Sequence, residues 1–258
     1  MGIEGSVIIV TGSSVGLGAA TARTAASKGA RVLINYTKSQ GEAEETAQAC
    51  RDLGGDAALC QGNVAEDADC RRMASVALEQ WGRIDGLVNN AGSSVFASAA
   101  DLESLSGEDF LNIYKVNVVG AYQMIRAVTP HLKAQGKGSI VNVSSISAIT
   151  GGGSSIAYAA SKAALNTMTI SLARSLAPEI RVNAVCPGPI PTRWWGDGLG
   201  EEGAQRLFRS FEAQVPLQEA PSAESVAETV VWMLEGASHV TGETVMIDSG
   251  MHLLGFKP

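Results

Sequence analysis

Charge, aromatic rings and sulfur are all scarce in this chain. Of its 258 residues 17% are charged and 5% aromatic, against 45% hydrophobic. Such a balance argues for a packed globular protein and against disorder. The charge present leans acidic, −7 at pH 7 with an isoelectric point near 5.0, and no basic cluster interrupts it. Nucleic acid and anionic membrane surfaces are therefore not expected as partners. No apolar run approaches the ~18–20 residues that span a bilayer. Met1 to Ser6 lead directly into an apolar run, without a basic and apolar leader, so no secretion signal or acylated arm is expected. Cys50, Cys60, Cys70 and Cys186 show no CxxC or Cys/His spacing, which reads as reduced thiols in a cytoplasmic protein. His131, His239 and His252 are scattered, and no metal site is expected.

What the chain has in quantity is alternation. Short apolar, β-branched runs predict strands over 6–11, 31–35, 57–61, 84–89, 139–143, 181–185 and 244–247. Between them the pattern predicts helices over 19–28, 41–53, 66–81, 106–134, 158–177, 201–213 and 223–234. Pro130 is expected to bend the long fourth helix near its end. Residues 189–221 read as the least regular part, a loop or lid rich in Gly and Pro. Alternating strands and helices call for a parallel sheet covered on both faces. No composition shift or repeat marks a boundary. The expectation is one α/β domain over 1–258, a doubly wound parallel sheet of about seven strands of the Rossmann type. Its ligands belong outside the carboxyl ends of the strands, where strand order reverses.

Two local patterns carry chemistry. Gly12, Gly16 and Gly18 follow the first strand and precede a helix. Glycine lets the chain turn sharply and brings backbone N–H groups near a phosphate at the helix N-terminus. The spacing is Gly-x3-Gly-x-Gly, not the usual dinucleotide fingerprint. Further on, Tyr158 and Lys162 stand four apart in a helical run, hence on one face. A nearby ammonium favours the phenolate, and a tuned phenol exchanges protons with a carbonyl or alcohol oxygen.

Taken with Asn89-Asn90-Ala91-Gly92, Asn117, Ser145, Pro187-Gly188 and Val240 to Val245 followed by Asp248, these stretches resemble the short-chain dehydrogenase/reductase family. The resemblance covers essentially the whole chain and points toward the 3-oxoacyl-carrier-protein-reductase-like and glucose-dehydrogenase-like members. It implies hydride transfer between a nicotinamide and a carbonyl or alcohol, without metal. Tyr158 would be the general acid or base, and Lys162 would lower its pKa and hold the nicotinamide ribose. Bringing a phenol near pH 7 asks roughly 4 kcal/mol of its surroundings. Ser145 would hold the substrate oxygen, with Ser144 a contender. Asn117 would interrupt its helix and hold a water that relays protons to Lys162. Gly12, Ser13, Ser14, Gly16, Leu17 and Gly18 would cradle the pyrophosphate. Asn63 and Val64 would meet the adenine, and Asn90, Ala91, Gly92, Pro187, Gly188, Ile190 and Thr192 the rest of the cofactor.

Within that resemblance, NAD-specific sites carry an acidic residue at the end of the second strand. Here Tyr36 stands there, followed by Thr37, Lys38 and Ser39, so NADP(H) is favoured over NAD(H). Val15, where many NADP-dependent relatives are basic, speaks the other way. The substrate side is expected around Ser145, Val95, Tyr158, Trp194 and Trp195, the two tryptophans forming an apolar lid or a subunit contact. Few basic residues beyond Lys133 and Lys137 near the entrance weaken an acidic carrier protein as substrate. The partner is then a small carbonyl or alcohol compound. Alternatives are an NAD-dependent alcohol, sugar or steroid dehydrogenase, or a nicotinamide sensor without chemistry. A homo-oligomer, dimer or tetramer, is expected through 106–134 and 158–177.

Overall fold

A computed structural model describes residues 2–254; Met1 and the last four residues, at the two ends of the expected 1–258 span, lie outside it. Seven strands form one sheet: β1 (Val7–Val10), β2 (Arg31–Tyr36), β3 (Asp56–Gln61), β4 (Gly86–Asn89), β5 (Gly138–Val143), β6 (Ile180–Pro187) and β7 (Thr244–Ile247). Their order is β3-β2-β1-β4-β5-β6-β7, and every neighbouring pair is parallel. Order reverses between β1 and β4, which places the ligand crevice above those two strands.

The strands are apolar because both faces are covered. Side chains alternate across a sheet, and β1 shows it. Ile8 and Val10 join a core with Ala22, Ala25 and Ala26 of α1 (Gly16–Ala26) and Val230 of α9 (Ala223–Glu235). Val7 and Ile9 join the opposite core, with Met73 of α3 (Asp67–Trp81), Val128 of α5 (Ala121–Ala134) and Leu176 of α7 (Ile156–Leu176). Between β2 and β3 runs α2 (Gln40–Asp52).

The structure departs from the sequence reading in three places that shape the site. The predicted helix 106–134 is three pieces: α4 (Gly107–Tyr114), a π-helical stretch Lys115–Gly120, and α5, which runs through Pro130. A short helix, α6 (Ser147–Thr150), follows β5 where a loop was expected. The lid is more helical than its glycines suggested. Its α8 covers Arg193–Glu212 in two segments joined at Gly200, whose φ is 72°. Trp194 and Trp195 are thus helical, not in a loop.

Candidate active site

The phosphate turn is built by glycine at two kinds of position. Gly12 and Gly16 adopt φ of +61° and +58°, a region that disfavours side chains. Gly18 is needed for space, since a Cβ there would press on the Gly12 carbonyl and stand 2.5 Å from Asn90 Nδ2. Buried polar residues hold the turn against β2 and β4. Asn35 Oδ1 accepts from Gly12 N at 3.0 Å, and its Nδ2 donates to the Gly62 carbonyl at 2.9 Å. Thr11 Oγ1 accepts from the N–H groups of Asn90 and Ala91, both at 3.0 Å. Asn90 Nδ2 returns bonds of 2.9 Å to the carbonyls of Thr11 and Gly12.

A cleft of about 930 Å³ opens beyond these strand ends. Strand order sets the sequence of residues across it: Asn63 and Val64 after β3, Tyr36 to Lys38 after β2, the glycine turn after β1, Asn90 to Gly92 after β4, Ser145 after β5, and Pro187 and Gly188 at β6. Ser14, Leu17, Ile190, Thr192, Trp194 and Trp195 also line it. Three expected site residues do not. Ser13 is fully buried, its hydroxyl donating to the Val10 carbonyl at 2.6 Å and accepting from Asn35 N at 3.0 Å. It shapes the turn from behind. Val95 stands off the cleft wall, while its neighbour Phe96 packs on the lid tryptophans. Asn117 is buried behind the wall.

The π-helical stretch widens the helix at Asn117 and turns its amide inward. That amide is committed within the protein. Oδ1 accepts from Ser93 N at 2.8 Å, while Nδ2 donates to the Ser93 carbonyl at 3.0 Å and to Ser161 Oγ at 2.9 Å. The local interruption expected at Asn117 is present. Its side chain ties the segment after β4 to α7.

Helix α7 brings the phenol and the ammonium together. Ser155 caps it, accepting from Tyr158 N at 3.2 Å, so Tyr158 falls in the first turn. Lys162 follows one turn on, its Nζ 5.5 Å from the Tyr158 ring centroid and 2.8 Å from the Val143 carbonyl it donates to. Ser144 and Ser145 divide the work at the end of β5. Ser144 Oγ donates to the Lys162 carbonyl at 3.1 Å, which fastens α7 to the sheet. Ser145 donates to Ser147 Oγ at 3.0 Å and accepts from Ser147 N at 3.1 Å, its hydroxyl lying near enough to the Tyr158 phenol to favour the charged form.

The acidity of Tyr158 runs against expectation. Burial pushes its phenol up to about 12, and the Ser145 hydroxyl pulls the other way without prevailing. Burial also brings Lys162 down to about 8. In both cases the loss of water around the charged form moves the value. The protein's own groups therefore keep Tyr158 a protonated donor at neutral pH.

Arg193, at the start of α8, carried no signal in the sequence. Its Nη1 lies 3.0 Å from Glu42 Oε1 and its Nη2 3.4 Å from Ser39 Oγ. The lid is thereby pinned to α2 beside the end of β2. Lys133 and Lys137 flank the start of β5, at the opposite end of the sheet from the cleft, and not near its entrance.

Comparison with known proteins agrees with this geometry. A family profile described as Enoyl-(Acyl carrier protein) reductase matches residues 12–252. A Streptomyces violaceoruber protein named as ketoacyl reductase 2 of the granaticin polyketide synthase is 39% identical, over 97% of this chain and 98% of that one. An L-rhamnose 1-dehydrogenase (NAD(P)(+)) from a Sphingomonas species is 35% identical, over 97% and 98%. A crystal structure from Burkholderia xenovorans, titled as a short-chain dehydrogenase/reductase, superposes with a TM-score of 0.90 at 35% identity, over 96% of this chain and 98% of that one. With nearly the full chain matched in sequence and in fold, the chain belongs to the short-chain dehydrogenase/reductase family of oxidoreductases.

Proposed function

We propose that this enzyme interconverts a carbonyl and an alcohol by hydride transfer with NADP(H), using Tyr158 as proton donor and acceptor. The observation that carries the reading is the setting of Tyr158. It is half-buried on the wall of the cleft that holds the glycine turn, beside Ser145 and one helical turn from Lys162. The residues fit a dinucleotide. Gly12 and Gly16 take the conformations a phosphate turn needs, and α1 begins there with its N-terminus open to the cleft. Ser14, Gly16 and Leu17 would hold the pyrophosphate, Asn63 and Val64 the adenine, and Ile190 and Thr192 the nicotinamide end. Bound there, the nicotinamide supplies or takes the hydride.

The chain's own residues handle the proton. In reduction the Tyr158 O–H bond breaks and its proton goes to the substrate oxygen, completing the alcohol. Ser145, turning its O–H from Ser147, would donate to that oxygen and hold it at the phenol. Lys162 is the cation placed to favour the phenolate left behind. Asn117 acts as a positioning residue, fixing the segment at Ser93 against α7.

NADP(H) is favoured because Tyr36, Thr37, Lys38 and Ser39 bring no carboxylate to the end of β2. The nearest acid, Glu42, is already paired with Arg193. A cytoplasmic setting fits the acidic charge and four buried, unbridged cysteines. Self-association fits Leu111, Val119, Tyr122 and Ile170, which leave apolar surface exposed on α4, the π-helical stretch, α5 and α7.

The test is Tyr158→Phe, assayed with NADPH and a panel of ketones. Loss of general acid catalysis predicts a kcat lower by ~10²–10⁴-fold, with NADPH binding retained. Undiminished turnover would sink the reading.

A further inference from the structure

Beyond Tyr158, Trp194 and Trp195 line the cleft, backed by Phe96 and Phe208. The Trp194 ring lies 5.9 Å from that of Tyr158 and 6.3 Å from that of Phe96, centroid to centroid. Trp195 meets Phe96 edge-on at 5.8 Å and Phe208 at 6.4 Å. The wall closes because position 198 is glycine, where a Cβ would overlap the Phe96 ring. Trp194 and Trp195 are both half-buried, so each keeps ring surface open to the cleft.

Most hydroxyls and amides bordering this wall are engaged within the protein, and Asp197, exposed on the lid, adds a negative charge at its rim. Ser147 accepts from Ser145 at 3.0 Å, and the Ser94 and Ser154 hydroxyls share a bond of 2.6 Å. Gln214 Nε2 donates to the Ser210 carbonyl and hydroxyl, both at 2.8 Å. Among the described residues that line the cleft, the cations are Lys38, Lys162 and Arg193. Lys38 lies just past the end of β2, and Arg193 pairs with Glu42 beside it. Lys162 is held by the Val143 carbonyl. A phosphate or a carboxylate would meet Asp197 with no cation on this wall, and a ring bearing many hydroxyls would leave most of them unpaired against the rings, which is costly.

We infer that the substrate is an uncharged, flat carbocyclic ketone of at least two fused rings. Its ring stacks on Trp194, and its carbonyl oxygen reaches Tyr158 and Ser145. The inference rests on the carbonyl-reductase reading above and adds the class of compound to it. Rings seat on tilted and edge-on aromatic neighbours, where the edge of one faces the π-cloud of another.

The test is steady-state kinetics of the full-length protein with NADPH. The substrates are 2-tetralone, cyclohexanone, acetoacetyl-CoA and, in the oxidative direction with NADP⁺, D-glucose and L-rhamnose. The expected result is a kcat/KM for 2-tetralone at least ~10-fold above that for cyclohexanone, with the thioester and the sugars below both. Trp194→Ala is expected to lower kcat/KM for 2-tetralone several-fold more than for cyclohexanone, mainly through KM. Trp194→Phe, which keeps a ring, restores part of that preference and guards against a variant that fails to fold. Preference for the thioester or a sugar overturns the inference. So does a Trp194→Ala variant that lowers activity on both ketones equally. Turnover of cyclohexanone without a fused-ring preference leaves the carbonyl-reductase reading standing and removes only this one. No turnover of any substrate removes both.

Discussion

Substituting alanine for Gly18 tests whether the phosphate turn is set by close packing. The new Cβ would press on the Gly12 carbonyl, with Asn90 Nδ2 at 2.5 Å and Ser13 Cα at 2.8 Å. None of the three can yield cheaply. Two are backbone atoms, and Asn90 Nδ2 is pinned by its 2.9 Å bonds to the Thr11 and Gly12 carbonyls. The start of α1 must therefore shift away from β4. Overpacking of this kind costs ~1–3 kcal/mol. For a chain of this size each kcal/mol moves Tm by ~2–4 °C, so Gly18→Ala is expected to melt ~2–12 °C lower. NADPH affinity should fall with it, because the same shift opens the turn. Gly41→Ala is the matched control. Gly41 lies in the first turn of α2, with nothing within 4 Å of a Cβ and no positive φ. There alanine should stabilise, by up to ~1 kcal/mol. Scanning fluorimetry of the three proteins, with NADPH titrations alongside, reads the result. A Gly18→Ala protein that melts with the wild type and binds NADPH equally well would refute the packing argument.

Two further outcomes follow from the charges. Burial takes Lys162 from 10.5 down to about 8, so between those values the unfolded chain binds more protons than the folded one. Stability owed to this residue therefore rises with pH across that window, and the Tm of Lys162→Met relative to wild type should decline from pH 8 to 10; a flat or growing difference would count against a desolvated lysine. At the other end of the cleft, Glu42→Gln removes the carboxylate that holds Arg193. Both groups are half exposed and the pair is worth ~0–1 kcal/mol, so NADPH should gain up to ~5-fold over NADH; wild-type protein binding NADH as tightly as NADPH would overturn the cofactor preference.

The sheet was legible because its information is local. Val7 to Val10 are apolar at every position, which is what a strand covered on both faces requires, and the other six runs carry a short apolar stretch among polar ends or single polar residues. Tyr158 and Lys162 were legible for the same reason, since helical spacing alone puts them on one face. What escaped was decided by partners distant in sequence. Ser13 looks like Ser14 in the chain, yet its hydroxyl is captured by Val10 and Asn35 while Ser14 lines the cleft. Asn117 shows a polar amide, and nothing local says that Ser93 and Ser161 are the groups it binds. Asn35, which joins β2 to the phosphate turn, reads only as a polar strand end.

The lid is the extreme case, and it explains why the chemistry reads more easily than the substrate. Arg193 to Gly200 hold three glycines in eight residues, poor helix-forming material on propensity alone. They are helical in the fold because Trp194 and Trp195 rest on Phe96, Phe208 and Tyr158, and because Arg193 reaches Glu42. Tertiary contacts thus hold in place what local preference would leave open. The proton-transferring groups stand on α7 and at the end of β5, elements whose form their own sequence dictates. The substrate wall exists only once residues from three separated stretches have met. A change at Phe96 or Gly198 should therefore reshape what the enzyme accepts while leaving the Tyr158–Lys162 pair where it is, and specificity in this chain can drift without disturbing the reaction.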